Sequence, residues 1–368
     1  MKQNKYTVNP NRLYSLDFFR GFTMFLLIAE FTNLFSLLIS PKLKGTIIYS
    51  IGNQFHHVPW VGLHFWDLIQ PFFMFIVGVA IPYSYSNRSK KGQSRKQITR
   101  HVISRAFLLL FLGWALYYNG PGAGAFRFQN VLAQLSVTYL IAYLIMNRSF
   151  LTQIIVSIAL LALTELIYRG FPVEGFNEAF VPNKNFGTWL DLQYGGADLT
   201  GNWVSFNAIP TTAHTIWGVL TGQLLMSSRT KIKKFKILVI SGLTGIIIGY
   251  ALSTVTPIIK HIATSSFVFV SGGYTLLTLA FSYWLIDIKK QKKGTLFFAI
   301  VGMNPLFIYL FAHVGGADFI DKIIQPFTMT LFGWMGNLTA DILTSLVVIF
   351  LLWYICYWFY KKKIFIKL

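Results

Sequence analysis

Long apolar runs alternate with short polar segments along the chain. A helix that crosses a membrane needs about 20 mostly apolar residues. Ten runs approach that length, at residues 18–39, 66–86, 102–119, 128–146, 150–168, 206–226, 236–254, 267–286, 295–313 and 338–360. The pattern predicts an all-α protein: a polytopic membrane helical bundle of about ten transmembrane helices, with residues 1–368 forming a single domain.

Basic residues are distributed unevenly among the segments between these runs. One alternating set holds 25 of the 32 Lys and Arg residues, and the opposite set holds 7. The richer set comprises the N-terminal segment through Arg20, residues 88–105, Arg148 and residues 229–236, 289–293 and 361–367. Because cytoplasmic loops carry the excess of Lys and Arg, we predict that both termini are cytoplasmic. The net charge of +20 is then explained by topology, and we expect no nucleic-acid partner.

Composition excludes several classes of protein. Hydrophobic residues make up 54% of the chain and charged residues only 12%, about half the charged fraction of soluble domains. The single cysteine, Cys356, excludes an internal disulfide and a cysteine-based metal site. No zinc-ligand spacing, nucleotide-binding glycine loop or nucleophile elbow occurs, so we predict no metal. The first apolar run is of full helix length without a small-residue cleavage pattern, and we expect it to be a retained span.

Residues 56–78 combine three histidines, two tryptophans and an aspartate at the start of an apolar run. Trp60 and Trp66 favour the boundary between hydrocarbon and water, and the charge pattern places this loop on the outer side. An ionisable group there is costly unless it is paired or functional. His57 is therefore a candidate proton acceptor, or else a solvated loop histidine. Asp67 either orients the imidazole or caps the second spanning helix.

Several other apolar runs carry polar side chains that lipid does not tolerate. Glu30 lies deep in the first run, and Glu165 lies near the outer end of the fifth. Thr211, Thr212 and His214 cluster in the sixth run. All of them are expected to face the interior of the bundle, either as functional groups or as ties between helices.

Six segments carry recognisable motifs: Arg12 to Gly21, His57 to Leu63, Asp67-Leu68 with Pro71 to Gly78, Arg127 to Tyr139, Gly302 to Asn304 and Tyr360 to Phe365. Together they resemble the heparan-α-glucosaminide N-acetyltransferase family and its bacterial relatives. The resemblance covers nearly the whole length. The sequence departs from the family pattern at Gln129-Asn130, where Pro-Gly is usual, at Gln134, where Arg is usual, and before Lys260, where an Asn is lost.

This resemblance implies an acetyltransferase in a bacterial cytoplasmic (inner) membrane. It would move an acetyl group from cytosolic acetyl-CoA, its co-substrate, to a glucosamine-type amino sugar on the outer face. His57 matches the family's active-site histidine and would act as a general base or carry the acetyl group. Asp67 would orient it.

A site for CoA that spans the bilayer needs cations inside and polar groups along a tunnel. We expect Arg20 and Arg105 to bind the phosphates and Gln134 and Asn304 to line the tunnel. The acceptor site is expected to include Trp60, Glu30 and Lys260. Expected partners are acetyl-CoA, the amino-sugar acceptor and membrane lipid, and a homodimer is possible.

Two other functions fit the same sequence. A transporter or flippase for a small or sugar-linked substrate would also use Glu30 and Glu165 inside the membrane. A non-catalytic membrane scaffold would leave His57 and Asp67 replaceable. Consumption of acetyl-CoA by the purified protein distinguishes the acetyltransferase from both.

Overall fold

The computed structural model describes residues 13–116, 127–194 and 196–366. Arg12, the last residues of the predicted run 102–119 and Lys367 lie outside these residues. Every regular element in the described part of the chain is a helix, and the only extended pairing there is a single bridge between Val61 and Ile259. The all-α prediction is confirmed.

Fifteen α-helices follow one another in the described residues. They are α1 (Tyr14–Glu30), α2 (Leu34–Leu38), α3 (Ile47–Gln54), α4 (Ile69–Lys90), α5 (Arg95–Leu116), α6 (Val131–Ile145), α7 (Phe150–Gly170), α8 (Phe186–Gln193), α9 (Ala208–Met226), α10 (Lys231–Leu252), α11 (Ser265–Ser282), α12 (Thr295–Val301), α13 (Pro305–Phe311), α14 (Ala317–Phe332) and α15 (Asn337–Lys362). A short 3-10 helix, Phe65–Leu68, leads into α4. A π-helical extension, Tyr283–Ile288, follows α11.

Six helical segments of the described chain are long and apolar enough to cross a membrane. They are Phe65–Lys90, Arg95–Leu116, Phe150–Gly170, Lys231–Leu252, Ser265–Ile288 and Asn337–Lys362. A seventh candidate is the pair Thr295–Val301 and Pro305–Met335, which is bent by 67°. Helices α1 and α6 are shorter, at 17 and 15 residues. These features indicate an integral membrane protein, and the count of ten spans remains a prediction.

Two predicted continuous spans are broken. The run 18–39 ends as helix at Glu30, and Asn33 adopts a left-handed conformation (φ 61°) before α2 begins. Glu30 therefore ends α1 and does not lie deep within a span. The run 295–313 breaks at Asn304, because Pro305 disfavours helical backbone in the residue before it.

The segment 314–337, which connects the last two predicted runs, contains helix α14. Gly315 (φ 96°) separates this helix from the apolar run before it. Within the helix, the acidic residues Asp318 and Asp321 and the apolar positions lie on an amphipathic pattern. A helix of this kind presents one apolar stripe, which a search for uniformly apolar runs misses.

Close packing of α4 on α9 forms the centre of the bundle. Gly78 and Gly218 face each other, and a Cβ at Gly78 would lie 2.1 Å from the carbonyl oxygen of Thr215. Small residues allow two helices to approach in this way inside a membrane protein. Helices α10 and α11 pack similarly through Gly242, Gly249 and Gly273.

The helices place two groups of loops at opposite ends of the bundle. At the basic end, the amide of Ser15 donates to Asp287 Oδ2 (3.1 Å) and Lys231 Nζ donates to the carbonyl of Asp287 (3.0 Å). At the histidine end, the loop before α4 pairs with the loop before α11, where the amide of Gly62 donates to the carbonyl of Ile258 (2.9 Å). This separation agrees with the charge pattern, while the cytoplasmic position of the termini remains a prediction.

Candidate active site

The loop that carries His57 is held by the first turn leading into α4. The amide of His64 donates to Asp67 Oδ2 (2.8 Å), and the amide of Val58 donates to the same oxygen over a longer distance (3.4 Å). Asp67 therefore caps this turn, and only 1% of its side chain is exposed. The loop folds back over the carboxylate because those two amides need an acceptor.

The second oxygen of Asp67 binds His57. The distance from His57 Nδ1 to Asp67 Oδ1 is 2.8 Å. Asp67 thus performs both roles considered from the sequence, as helix cap and as partner of the imidazole. His57 keeps 35% of its side chain exposed, so its ring remains accessible.

Two contacts at Nδ1 bear on the tautomer of His57, and we base the assignment on the shorter one, to Asp67 (2.8 Å), because the ammonium of Lys260 at 3.1 Å can donate to Asp67 instead. A carboxylate oxygen and an unprotonated nitrogen both carry lone pairs and would repel each other at 2.8 Å, so we infer that Nδ1 bears the proton. Nε2 then presents the lone pair. It has no hydrogen-bond partner among residues 13–116, 127–194 and 196–366.

Lys260 is the third member of this cluster. Its Nζ lies 3.1 Å from His57 Nδ1 and 3.7 Å from Asp67 Oδ1. The side chain is almost fully buried. Asn207 holds the turn in place by donating from Nδ2 to the carbonyls of Lys260 (2.7 Å) and His261 (3.1 Å).

Burial and mutual charge set the protonation of these groups. Burial lowers the pKa of His57, and the neighbouring Lys260 ammonium lowers it further against the opposing effect of Asp67. Burial lowers the pKa of Lys260 to about 8, although Asp67 and Glu30 raise it. Burial, followed by the charge of Lys260, lowers the pKa of His261 to about 4. Near neutral pH, His57 is therefore an unprotonated imidazole beside a largely protonated lysine.

Aromatic rings surround the cluster. Trp203 meets the edge of His57 at 5.4 Å between ring centroids and packs on His261 at 4.1 Å. Lys260 Nζ lies 5.2 Å from the centroid of Trp203. Trp60 contacts His261 from another side and donates from Nε1 to the carbonyl of Phe180 (2.7 Å). Trp203 thus lies directly beside His57, and Trp60 lies beyond it against His261.

Glu30 also reaches the histidine end. Its Oε1 accepts a hydrogen bond from Trp66 Nε1 (3.0 Å), and its carboxylate interacts electrostatically with Lys260. Glu30 is exposed at the end of helix α1. The structure therefore brings five predicted site residues close together. They are Glu30, His57, Trp60, Asp67 and Lys260.

A polar link runs from this cluster into the bundle along α4. Gln70, one residue after the start of α4, is hydrogen-bonded through Nε2 to Gln134 Oε1 and approaches Asn207 Oδ1 at 3.4 Å. Gln134 is buried at the start of α6. Gln134 thus lies near the site through Gln70, and Asn207 connects the same link to Lys260.

A cavity of about 410 Å³ runs along α4 from Phe73 to Arg88, and its basic residues line the end away from His57; we call it the basic cavity. Its cationic residues are Arg20, Arg88 and Arg105, and His101 also lines it. Arg20 is fixed by a hydrogen bond from Nε to the carbonyl of Gly302 (2.8 Å), and Arg105 lies over the ring of Tyr139 (5.1 Å). The two predicted phosphate-binding arginines therefore line one cavity. At about 1.5 Å per residue, helix α4 separates Arg88 from Asp67 by roughly 30 Å.

No family model matches the chain, but two curated proteins are similar to it. Human heparan-α-glucosaminide N-acetyltransferase is 25% identical over 426 residues, which cover 98% of this chain and 60% of the human protein. The mouse protein of the same name is 31% identical over 140 residues, which cover 36% of this chain and 19% of its own length. These similarities support a relationship to this family. The chain's resemblance to the heparan-α-glucosaminide N-acetyltransferases is confirmed.

The similarity to the human N-acetyltransferase extends over both the cluster around His57 and the basic cavity, since almost the whole chain is aligned. The chain spans about 60% of the length of that relative. Residues that sequence reasoning did not assign to the site are Trp203, Asn207, His261 and His101, whereas Arg88 begins the basic loop 88–100, which the sequence also offers as a candidate for the phosphates. Trp203 and His261 gave a usable signal, because each is a polar aromatic residue in a predicted outer loop. Asn207 gave none.

Asn304, a predicted tunnel residue, is fully engaged by the backbone of the C-terminal segment. Its Nδ2 donates to the carbonyl of Ile364 (3.0 Å), and its Oδ1 accepts from the amide of Ile366 (2.8 Å). Ile366 itself lines the basic cavity. The structure therefore gives Asn304 an anchoring role at the cavity wall.

Glu165 and His214 lie outside the cluster and connect helices. Glu165 Oε2 accepts from Arg169 Nε (3.1 Å) and Thr256 Oγ1 (3.3 Å). His214 Nε2 lies 3.1 Å from the carbonyl of Val268. The described residues contain no group of three or more His, Cys, Asp or Glu side chains placed to hold a metal.

Proposed function

We propose that this chain is a membrane acetyltransferase that moves an acetyl group from acetyl-CoA to the amine of a glucosamine-type amino sugar. The observation that carries the proposal is the unpartnered Nε2 of His57, with Nδ1 held by Asp67 and Lys260 close by. The similarity to a human N-acetyltransferase supports the choice of reaction.

The reaction requires a general base for the amine, whereas the thioester needs no further activation. A thioester is already reactive towards an amine, so the barrier is lowered by removing the amine proton and holding the two reactants together. As the acceptor nitrogen attacks the acetyl carbonyl carbon, His57 Nε2 takes the proton. The new C–N bond forms, the C–S bond breaks, and the imidazolium returns the proton to the CoA thiolate.

Asp67 and Lys260 control the base without contacting the reacting atoms. Asp67 accepts from Nδ1–H, so it fixes the tautomer and stabilises the imidazolium that forms during transfer. The ammonium of Lys260 disfavours a protonated imidazole in the resting site. Together they give a base that is neutral before the reaction and stabilised when it is charged.

An acetyl-histidine route uses the same nitrogen. Nε2 would attack the thioester and release CoA, and the amine would then take the acetyl group from the imidazole. The two routes differ when acceptor is absent, since only the second one leaves a stoichiometric acetyl group on His57 and releases free CoA.

The donor and acceptor are proposed to approach from opposite ends. Arg20, Arg88 and Arg105 offer cations for the CoA phosphates in the basic cavity. Trp60 and Trp203 offer aromatic surface for a sugar ring near His57, and Glu30 offers a carboxylate that can accept hydrogen bonds from its amine or hydroxyl groups. We propose that the basic end is cytoplasmic in a bacterial inner membrane, so that acetyl transfer crosses the bilayer.

Sealed vesicles of known orientation test this proposal. Labelled acetyl-CoA is supplied at the basic end, and glucosamine is confined at the histidine end. We expect acetylglucosamine on the histidine side and free CoA on the basic side. Transfer that occurs only when both reactants share one side would contradict a transmembrane reaction. Passage of unmodified glucosamine without loss of acetyl-CoA would instead indicate a transporter.

A further inference from the structure

A second cavity at the basic end lies outside the proposed reaction. Its volume is about 460 Å³, and it lies among the start of α1, the end of α4, the turn between α9 and α10 and the end of the π-helical extension. Five lysines line it: Lys90, Lys231, Lys234, Lys290 and Lys292. We call it the lysine pocket. It shares no lining residue with the basic cavity that contains Arg20.

The lysine charges are not neutralised by carboxylates. Asp287 is the only acidic residue lining the pocket, and its Oδ2 accepts the amide hydrogen of Ser15 (3.1 Å). Within the described part of the chain, none of the five ammonium groups lies within 4.0 Å of a carboxylate oxygen. Lys231 is repelled by Lys290 and attracted by Asp287, and the repulsion is the larger of the two effects. The pocket therefore attracts an anion.

The positions of two lysines are fixed by other contacts. Lys234 is buried and donates from Nζ to the carbonyl of Leu225 (2.7 Å) near the end of α9. Lys292 Nζ lies 4.3 Å from the ring centroid of Tyr14. Polar groups of Ser86, Asn87, Ser227, Tyr83 and Tyr283 complete the lining. A phosphate, with several acceptor oxygens, matches this set of cationic and neutral donors.

An apolar groove adjoins the lysine pocket. It has a volume of about 660 Å³ and lies among α7, α9, α10 and α11, with Ile154, Ile158, Leu220 and Ile248 among its lining residues. Ser227 lines both spaces, and Arg229 also borders the groove. These helices include candidate membrane spans, so the groove has a shape and polarity suited to an acyl chain.

We propose that the lysine pocket binds the phosphate of an anionic glycerophospholipid, with one acyl chain of the same molecule in the adjoining groove. Basic pockets between membrane helices on the cytoplasmic side recognise lipid headgroups by the same attraction. The lipid would bridge the start of α1, the end of α4 and the turn before α10, and so brace the basic end of the bundle.

Native mass spectrometry of delipidated protein tests the proposal. Phosphatidylglycerol and phosphatidylcholine with identical acyl chains are titrated separately, and we expect clear preference for phosphatidylglycerol. The double variant Lys231→Gln/Lys290→Gln should bind it about thirtyfold more weakly. The matched control Lys233→Gln/Lys293→Gln removes the same charge from exposed lysines outside the pocket and should bind it normally.

The source of the phosphate is tested with two further arms. Glycerol 3-phosphate and CoA should not displace the lipid, since neither fills the groove. Thr244→Phe narrows the groove without touching a lysine and should weaken binding of phosphatidylglycerol. Equal binding of the two lipids, equal loss in both double variants, or displacement by either soluble phosphate would overturn the proposal. The comparison of lipids and the Thr244 variant remain decisive if the lysine variant does not fold.

Discussion

His57 Nδ1 lies 2.8 Å from Asp67 Oδ1, while the other oxygen of Asp67 accepts backbone amides of the same loop. One buried carboxylate therefore sets both the fold of the loop and the orientation of its imidazole. The pairing leaves Nε2 as the reactive nitrogen, and this gives separate expectations for each residue of the cluster.

Replacing His57 by alanine should reduce acetyl transfer by about 10²- to 10⁴-fold, because the reaction loses its general base. Acetyl-CoA binding should persist, since the arginines of the basic cavity lie at the other end of α4. Initial rates and CoA binding measured on the same preparation check both points. His56→Ala and His64→Ala are the neighbouring controls and should retain more activity. A His57→Ala protein with most of its activity would exclude the assignment.

Asp67→Asn separates the two roles of this side chain. An amide oxygen can still accept from the amide of His64, so the turn should be retained with a modest loss of stability. The amide no longer stabilises an imidazolium and can force the wrong tautomer, so activity should fall by about 10²- to 10⁴-fold. Thermal unfolding and transfer rate are measured together. If activity is lost only because the protein unfolds, Asp67 is a structural cap and does not assist the imidazole.

The pH profile should report the influence of Lys260 on His57. Because the pKa of His57 is lowered, the acid limb of kcat/KM should have its midpoint below pH 6.5, and activity should fall as pH drops through it. Lys260→Met removes a positive charge, so the pKa of His57 should rise and the midpoint should move to higher pH. Profiles of both proteins measure the shift. A midpoint that stays fixed or moves down would contradict the coupling.

Arg20→Ala should weaken acetyl-CoA binding by about tenfold or more, because it removes a cation from the basic cavity. The KM for glucosamine should not change, since the acceptor is proposed to bind at the histidine end. Arg148→Ala is a matched control on an exposed turn outside the cavity and should leave both constants unchanged. Equal effects of the two substitutions would indicate general electrostatics and not a binding contact.

The sequence pattern predicts the site residues that are close to one another in the chain. It does not predict those that come from distant segments. His57 and Asp67 are ten residues apart, and an interfacial histidine followed by an acid at a helix start is visible as a pattern. Lys260 comes from a loop about two hundred residues later in the chain, and only the family resemblance predicts that it belongs to this site. Trp203 and Asn207 reach the cluster through tertiary packing that no periodicity encodes.

The fold shows a similar division. Uniformly apolar runs such as those of α4, α7, α10 and α15 were located because hydropathy is a local property. The breaks at Asn33 and Asn304 and the helix α14 were missed. In each case a turn residue, a proline or an amphipathic stripe determines the backbone conformation. Mean hydropathy over many residues does not detect such features.

The sidedness of the bundle gives the final prediction. The two groups of loops lie at opposite ends, and the charge pattern assigns the basic end to the cytoplasm. Cys356 is buried and can be replaced by serine to give a background without thiols. Single cysteines are then placed at Ser40 or Glu174 for the histidine end and at Ser89 for the basic end. Glu174 is preferred to Gly175, whose φ of 80° strains any side chain.

An impermeant thiol reagent applied to intact cells should label the cysteines at positions 40 and 174 and leave position 89 unlabelled. After the cells are opened, all three should react, which controls for accessibility. Labelling of position 89 but not of position 174 in intact cells would reverse the orientation. The donor and acceptor sides would then exchange, and the proposed transfer from cytosolic acetyl-CoA to an outer amine would be wrong.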